Sequence, residues 1–174
     1  GIRTLFNLLG PLSNPAAVPR QLLGVFSPEW VKPMIHVLKN LGLQRAVVVS
    51  GAEGLDEFSI AGPSIYGVLD QGEISFHELD PRDYGMNLAS LETLQVANGK
   101  ESLALIKAAL KKQPNDVQDP ARNIIALNAG VALFVSGCVD TIRLGIELAQ
   151  DVMASGAALE RLSLLRDYTS VLRD

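Results

Sequence analysis

The sequence is short of the residues that several protein classes depend on. Its 174 residues hold one cysteine, Cys138, so no internal disulfide and no cysteine-based zinc site can form within the chain. That usage fits a reducing cytosol, and the apolar stretch around Cys138 predicts an inert, buried thiol. Aromatic residues make up only 5%, which leaves an aliphatic core. No basic run exceeds the pair Lys111-Lys112, and a net charge of −4 with a pI near 5.2 argues against binding nucleic acid by phosphate neutralisation. The longest apolar stretch, Ile124 to Val139, is interrupted by Asn128 and Ser136 and falls short of the ~20 residues that span a bilayer. No basic segment followed by an apolar one opens the chain, so the sequence predicts neither export nor membrane insertion, and a cytoplasmic protein is expected. What is present is a globular composition, with 48% hydrophobic residues, 20% charged residues and a positive mean hydropathy.

The first twenty residues are broken by Pro11, Pro15 and Pro19, with Gly10, Ser13 and Asn14 among them, and read as a turn-rich loop. Gln21 to Phe26 is a short apolar run, read as a buried strand. Ser27, Pro28 and Gly42 are start and stop signals for a helix over Pro28 to Leu41. Its expected buried face is Trp30, Met34, Val37, Leu38 and Leu41. Arg45 to Ser50 is β-branched and continuously apolar at its centre, the pattern of a strand covered on both faces. Strand, helix and strand in this spacing form a βαβ unit with a parallel pair. Shorter strands are predicted at 57–61, 64–70 and 73–79, separated by Gly62-Pro63 and Gln71-Gly72 turns, as antiparallel additions. The expected fold class is therefore α/β, with a mixed, mainly parallel central sheet flanked by helices.

The second half reads as helical. Asn98 with Glu101 forms a capping box before Ser102 to Lys111, Asp119-Pro120 opens a second helix, and Asp140 opens a third that ends near Gly156. A further helix is predicted from Ala157 to about Tyr168. The helix over 120–136 is apolar almost all round and belongs at the centre, where Asn128 is expected to make a packing hydrogen bond. Leu144, Leu148 and Val152 make a one-sided stripe.

Two segments could carry chemistry. Gly51-Ala-Glu-Gly-Leu-Asp-Glu57 follows the carboxyl end of a predicted strand, where open α/β sheets bind ligands. Its glycines allow sharp turns that deliver Asp56 and Glu57 side by side. Read as extended chain, the pair points to opposite sides, suited to holding two hard cations or reaching one from two directions. A Mg²⁺ held by few carboxylates completes its shell with water and phosphate oxygens, which implies a phosphate-bearing substrate. The same composition also describes an exposed acidic turn. The second segment is the opening one, where the Gly10-Pro11 corner beside Leu8, Leu9 and Leu12 could hold a flat organic ring, with Arg3 and Asn7 supplying polar contacts. A proline-stiffened connection is the alternative. His36 and His77 have no third ligand spaced with them and read as ordinary surface or core histidines. No Gly-x-Ser-x-Gly elbow, Walker loop or GxGxxG fingerprint is present.

Taken together and in order, GIRTLFNLLGPLSNP, LLGVFSPEW, VVVSGAEGLDEFS, NIIALNAGVAL and GIELAQDVMASGAALERL resemble the anthranilate phosphoribosyltransferase family. The resemblance covers essentially the whole chain and corresponds to the carboxyl-terminal half of family members, a start consistent with Gly1 in place of methionine. It implies the nucleoside phosphorylase/phosphoribosyltransferase catalytic-domain fold. It also implies transfer of a phosphoribosyl group from phosphoribosyl pyrophosphate to anthranilate, with release of pyrophosphate, in tryptophan biosynthesis. Asp56 and Glu57 would then be Mg²⁺ ligands, and Gly10 and Pro11 would line the anthranilate passage.

The family's Gly-Thr-Gly-Gly-Asp phosphate loop, its Lys-His-Gly-Asn segment, its anthranilate-facing arginine and its helical amino-terminal domain with the dimer contacts have no equivalent here. The chain alone is therefore expected to be inactive, and the full-length protein to be a homodimer. Two rivals share the fold: a pyrimidine nucleoside phosphorylase, and a noncatalytic nucleic-acid-binding relative that should be basic. Part of the apolar surface is expected to pack against absent neighbours, including sheet partners of the strands at 21–26 and 45–50.

Overall fold

A computed structural model describes residues 10–13, 16, 18–113 and 118–171. Four strands form one sheet in the order β1 (Arg20–Gly24), β2 (Arg45–Ser50), β3 (Ser64–Asp70) and β4 (Glu73–Leu79). β1 and β2 run parallel with Arg20 opposite Arg45, whereas β2–β3 and β3–β4 are antiparallel. The sheet is mixed, as expected, but its parallel part within the described residues is a single pair. β2 has a partner on each edge, so of the two strands expected to lack sheet neighbours only β1 lies at the rim of the sheet that the described residues form.

The parallel crossover is α1 (Val31–Asn40), entered through a 3-10 turn at Pro28–Trp30. It buries Val31, Met34, Ile35 and Leu38 against Leu23, Ala46, Val48 and Leu69. The expected face is therefore rotated: Met34 and Leu38 are buried, but Leu41 is 57% exposed and Ile35 fully buried. The 3-10 entry turns fewer residues per revolution than an α-helix, which shifts the phase of everything that follows Pro28.

The other sheet face carries Val47, Val49 and Tyr66 against α3 (Pro120–Ser136) and α4 (Ile142–Ser155). Successive β2 residues thus enter opposite core clusters, the two-sided burial that the valine run predicted. Gly130 of α3 and Gly145 of α4 meet so closely that a β-carbon at either would strike the other helix. α2 (Gly99–Ala109) begins at the expected capping box, where Asn98 Oδ1 accepts the Lys100 and Glu101 amides and Asn98 donates back to Glu101. The buried Arg122 side chain donates to the carbonyls of Ala109 and Lys111 at the end of that helix. α5 (Ala157–Val171) completes the chain that is described. No helix of the described residues is long and apolar enough to cross a membrane.

Several expectations are corrected. Residues 57–61 form no strand, because side chains satisfy their peptide groups: Asn128 bonds Phe58, Ser64 Oγ accepts the Ser59 amide, and Ser59 Oγ accepts the Ala61 amide. Thr141, not Asp140, caps α4, accepting the Leu144 amide. Cys138 is exposed, because Gly137 ends α3 in the left-handed conformation and turns the chain outward before the thiol. The stripe Leu144, Leu148 and Val152 faces away from the sheet and is 38–48% exposed. With Leu110, Ile125 and Leu133, residues Leu148 and Val152 line an apolar groove of about 480 Å³.

Candidate functional site

The loop Gly51 to Glu57 leaves β2 at the carboxyl edge of its pairing with β1. The Gly51 amide donates to the Leu55 carbonyl at 2.8 Å, closing the loop on itself around a 3-10 turn at Ala52–Gly54. Glu53 takes φ 60° and Gly54 φ 75°, so two consecutive left-handed residues reverse the chain. Leu55 is extended, and Asp56 and Glu57 follow in a bend at the surface.

Two glycines decide where that bend lies. A β-carbon at Gly24, the last residue of β1, would collide with the Asp56 carbonyl, and one at Gly51 would collide with the Glu57 carbonyl. The backbone of the acidic pair therefore rests directly on the ends of the two parallel strands. The chain after the pair is held as firmly: Asn128 Oδ1 accepts the Phe58 amide and Asn128 Nδ2 donates to the Phe58 carbonyl, both at 2.9 Å. The Phe58 ring is fully buried and packs edge-on against Tyr66, with centroids 5.3 Å apart.

Because the pair sits in a bend, strand alternation does not set its side-chain directions. Partial desolvation raises the Glu57 pKa, and the negative charge of Asp56 raises it further. Neither carboxylate forms an ion pair with a described basic residue. Among the described residues no group of three or more His, Cys, Asp or Glu side chains gathers as a closed cage. This donor set, two adjacent uncompensated carboxylates on a rigid backbone, fits Mg²⁺, which keeps several waters and takes oxygen ligands from a substrate.

Gly10 opens a 3-10 turn, Gly10–Ser13, and is exposed, with open space where a β-carbon would lie. Leu12 of that turn packs against the cluster containing Leu23 and Val25. The Pro11 side chain, Arg3, Asn7, Leu8 and Leu9 lie outside what is described. His36 and His77 are exposed on separate elements, with His77 bonded to Ser75 Oγ at 2.7 Å.

Sequence reasoning misses Gly24, although a glycine closing an apolar strand is itself a signal of close backbone approach. Ser50, which ends β2, is 1% exposed and its hydroxyl has no hydrogen-bond partner among the described residues. Asn128 makes the packing contact expected of it, but its target is the chain just after the acidic pair.

The chain is similar to known proteins over nearly its whole length. A curated anthranilate phosphoribosyltransferase of Marinomonas sp. strain MWYL1 is 47% identical over 167 residues, which are 96% of this chain and 48% of the relative. That of Hahella chejuensis is 43% identical over 174 residues, covering 100% of this chain and 50% of its own length. The crystal structure of the anthranilate phosphoribosyltransferase of Thermus thermophilus superposes with a TM-score of 0.81 at 38% identity, over 100% of this chain and 49% of that one. The Saccharomyces cerevisiae enzyme in complex with PRPP and Mg gives a TM-score of 0.83 at 29% identity, over 98% and 48%. The chain thus spans about half the length of the relatives it matches. A family model described as "Glycosyl transferase family, a/b domain" matches residues 1–159, which take in the sheet, the glycine-seated acidic loop and the helices behind it; the chain belongs to that family.

Proposed function

We propose that the chain is the carboxyl-terminal part of the α/β catalytic domain of an anthranilate phosphoribosyltransferase. The reaction is transfer of the phosphoribosyl group from phosphoribosyl pyrophosphate to the anthranilate amine, giving phosphoribosylanthranilate and pyrophosphate in tryptophan biosynthesis. The observation that carries this reading is the Asp56–Glu57 pair, seated by Gly24 and Gly51 at the carboxyl edge of the parallel strands. Relatives of that name match nearly all of the chain, and solved yeast relatives hold PRPP with Mg, or 4-fluoroanthranilate.

Asp56 and Glu57 would hold the cation, on a backbone that Gly24 and Gly51 fix in place before it binds. When bound, Mg²⁺ supplies positive charge against the negative charge that develops on the departing diphosphate. The anthranilate amine is an adequate nucleophile once aligned, so the protein's task is largely positioning. The turn at Gly10 and Pro11 lines the path of anthranilate. The cradle for the diphosphate, the cation for the anthranilate carboxylate and the homodimer contacts belong to the remainder of the full-length protein, which works in the cytoplasm.

The test is a substrate comparison on the full-length protein carrying this chain, with products identified by mass spectrometry. Anthranilate, phosphoribosyl pyrophosphate and Mg²⁺ should give phosphoribosylanthranilate and pyrophosphate. Phosphorolysis of uridine or thymidine with no product from anthranilate would assign the chain to a nucleoside phosphorylase instead.

A further inference from the structure

We propose that Asn128 is a positioning residue for cation binding, setting the place of the Asp56 and Glu57 carboxylates from behind the site. The inference rests on the reading of that pair as Mg²⁺ ligands and extends it to a residue of α3.

Glu57 is followed at once by Phe58, whose amide and carbonyl are both taken by one side chain, Asn128. The second Nδ2 proton goes to the Ile124 carbonyl at 3.0 Å, one helical turn back, which fixes the rotation of the amide. A primary amide presents a donor and an acceptor side by side, the pattern a neighbouring strand would offer to an extended residue. Residues 57–61 have no strand partner, so Asn128 takes that place for Phe58. The carbonyl of the same Glu57–Phe58 peptide unit rests on Gly51, and the Asp56 carbonyl rests on Gly24. The peptide units that follow Asp56 and Glu57 are therefore held from two directions, against the strands by glycines and to α3 by an amide.

Helix propensity and burial give Asn128 no reason of their own. Asparagine is a poor interior helix former, and its neighbours Leu127 and Val131 are fully buried apolar residues. Only an amide meets both demands of Phe58. A carboxylate accepts from the Phe58 amide but repels its carbonyl, and leucine fills the space while leaving both backbone groups unpaired.

The experiment titrates the full-length protein with Mn²⁺ alone, followed by water-proton relaxation, and records a melting temperature for each variant. Asn128→Asp and Asn128→Leu should weaken Mn²⁺ binding at least tenfold. Leu127→Ala, a core lesion at the adjacent position, should lower the melting temperature as much or more yet leave Mn²⁺ affinity within twofold. Equal weakening by Leu127→Ala would make Asn128 a general structural residue and overturn the proposal. Asp56→Asn with Glu57→Gln separates the two readings. If that double variant weakens Mn²⁺ while both Asn128 variants bind like wild type, the ligands stand and the positioning role falls. If the double variant binds normally, the ligand assignment fails first.

Should the Asn128 variants not fold, amide exchange in the unaltered protein decides. The Phe58 amide should exchange slowly, and more slowly still with Mg²⁺ added; a fast rate that Mg²⁺ does not change would overturn the proposal.

Discussion

Gly24 lies directly beneath the carbonyl of Asp56, so that a β-carbon at position 24 would need the space this oxygen fills. The end of β1 is thereby the seat of a loop that begins more than twenty residues later, after α1 and β2 have been laid down. Gly24→Ala must push the loop away, because the obstructing atom is backbone and cannot rotate aside. Overpacking of this kind costs roughly 1–3 kcal/mol. Chemical denaturation should show that loss, and Mg²⁺ activation should need higher concentrations. An alanine variant with unchanged stability and Mg²⁺ response would show that Gly24 does not seat the loop.

Glu53 makes the opposite prediction. Its φ of 60° is left-handed, a conformation that costs a side-chain-bearing residue roughly 1–2 kcal/mol. Glu53→Gly should relieve that strain, partly offset by greater freedom of the unfolded chain, for a net gain of about 0.5–1 kcal/mol. Mg²⁺ dependence should stay as it was, since the carboxylates assigned to the cation are Asp56 and Glu57. Loss of Mg²⁺ response in this variant would enlarge the ligand set to Glu53.

Asp80 makes a small part of the stability depend on pH. Side-chain and backbone hydrogen bonds from Arg82, at 2.6–3.2 Å, hold its pKa below the ordinary 3.8. The unfolded chain therefore takes up this proton at a higher pH than the folded one. The contribution of ionised Asp80 is fully present above the unfolded value and disappears as pH falls through the lowered folded value. Denaturation of wild type and Asp80→Asn should give a stability gap that is constant near neutrality and closes in acid. A gap unchanged down to about pH 2 would contradict the role given to Arg82.

Much of the fold is legible in local chemistry. β2 follows from its valine run, the start of α2 from Asn98 and Glu101, and the β3–β4 turn from Gln71-Gly72, where both residues do adopt positive φ. These features are decided by neighbours in sequence. Residues 57–61 mislead because an apolar run does not say what satisfies its backbone, and here a side chain seventy residues away does so. The rotated face of α1 comes from a single 3-10 turn, and the outward course of Cys138 from the conformation of Gly137. At the site, the acidic pair stands out by composition and position, whereas Gly24 and Asn128 acquire their roles only through contacts that the fold creates.

Whether Asp56 and Glu57 hold the catalytic Mg²⁺ is decided by the Mg²⁺ dependence of pyrophosphate release from phosphoribosyl pyrophosphate and anthranilate. The full-length protein is compared with a double variant, Asp56→Asn combined with Glu57→Gln. The double variant should keep the wild-type melting temperature to within a few degrees, because neither carboxylate has a described ion-pair partner. Its turnover at limiting Mg²⁺ should fall by roughly a hundredfold or more. Near-wild-type turnover at limiting Mg²⁺ would refute the assignment and leave the glycine-seated loop an acidic turn.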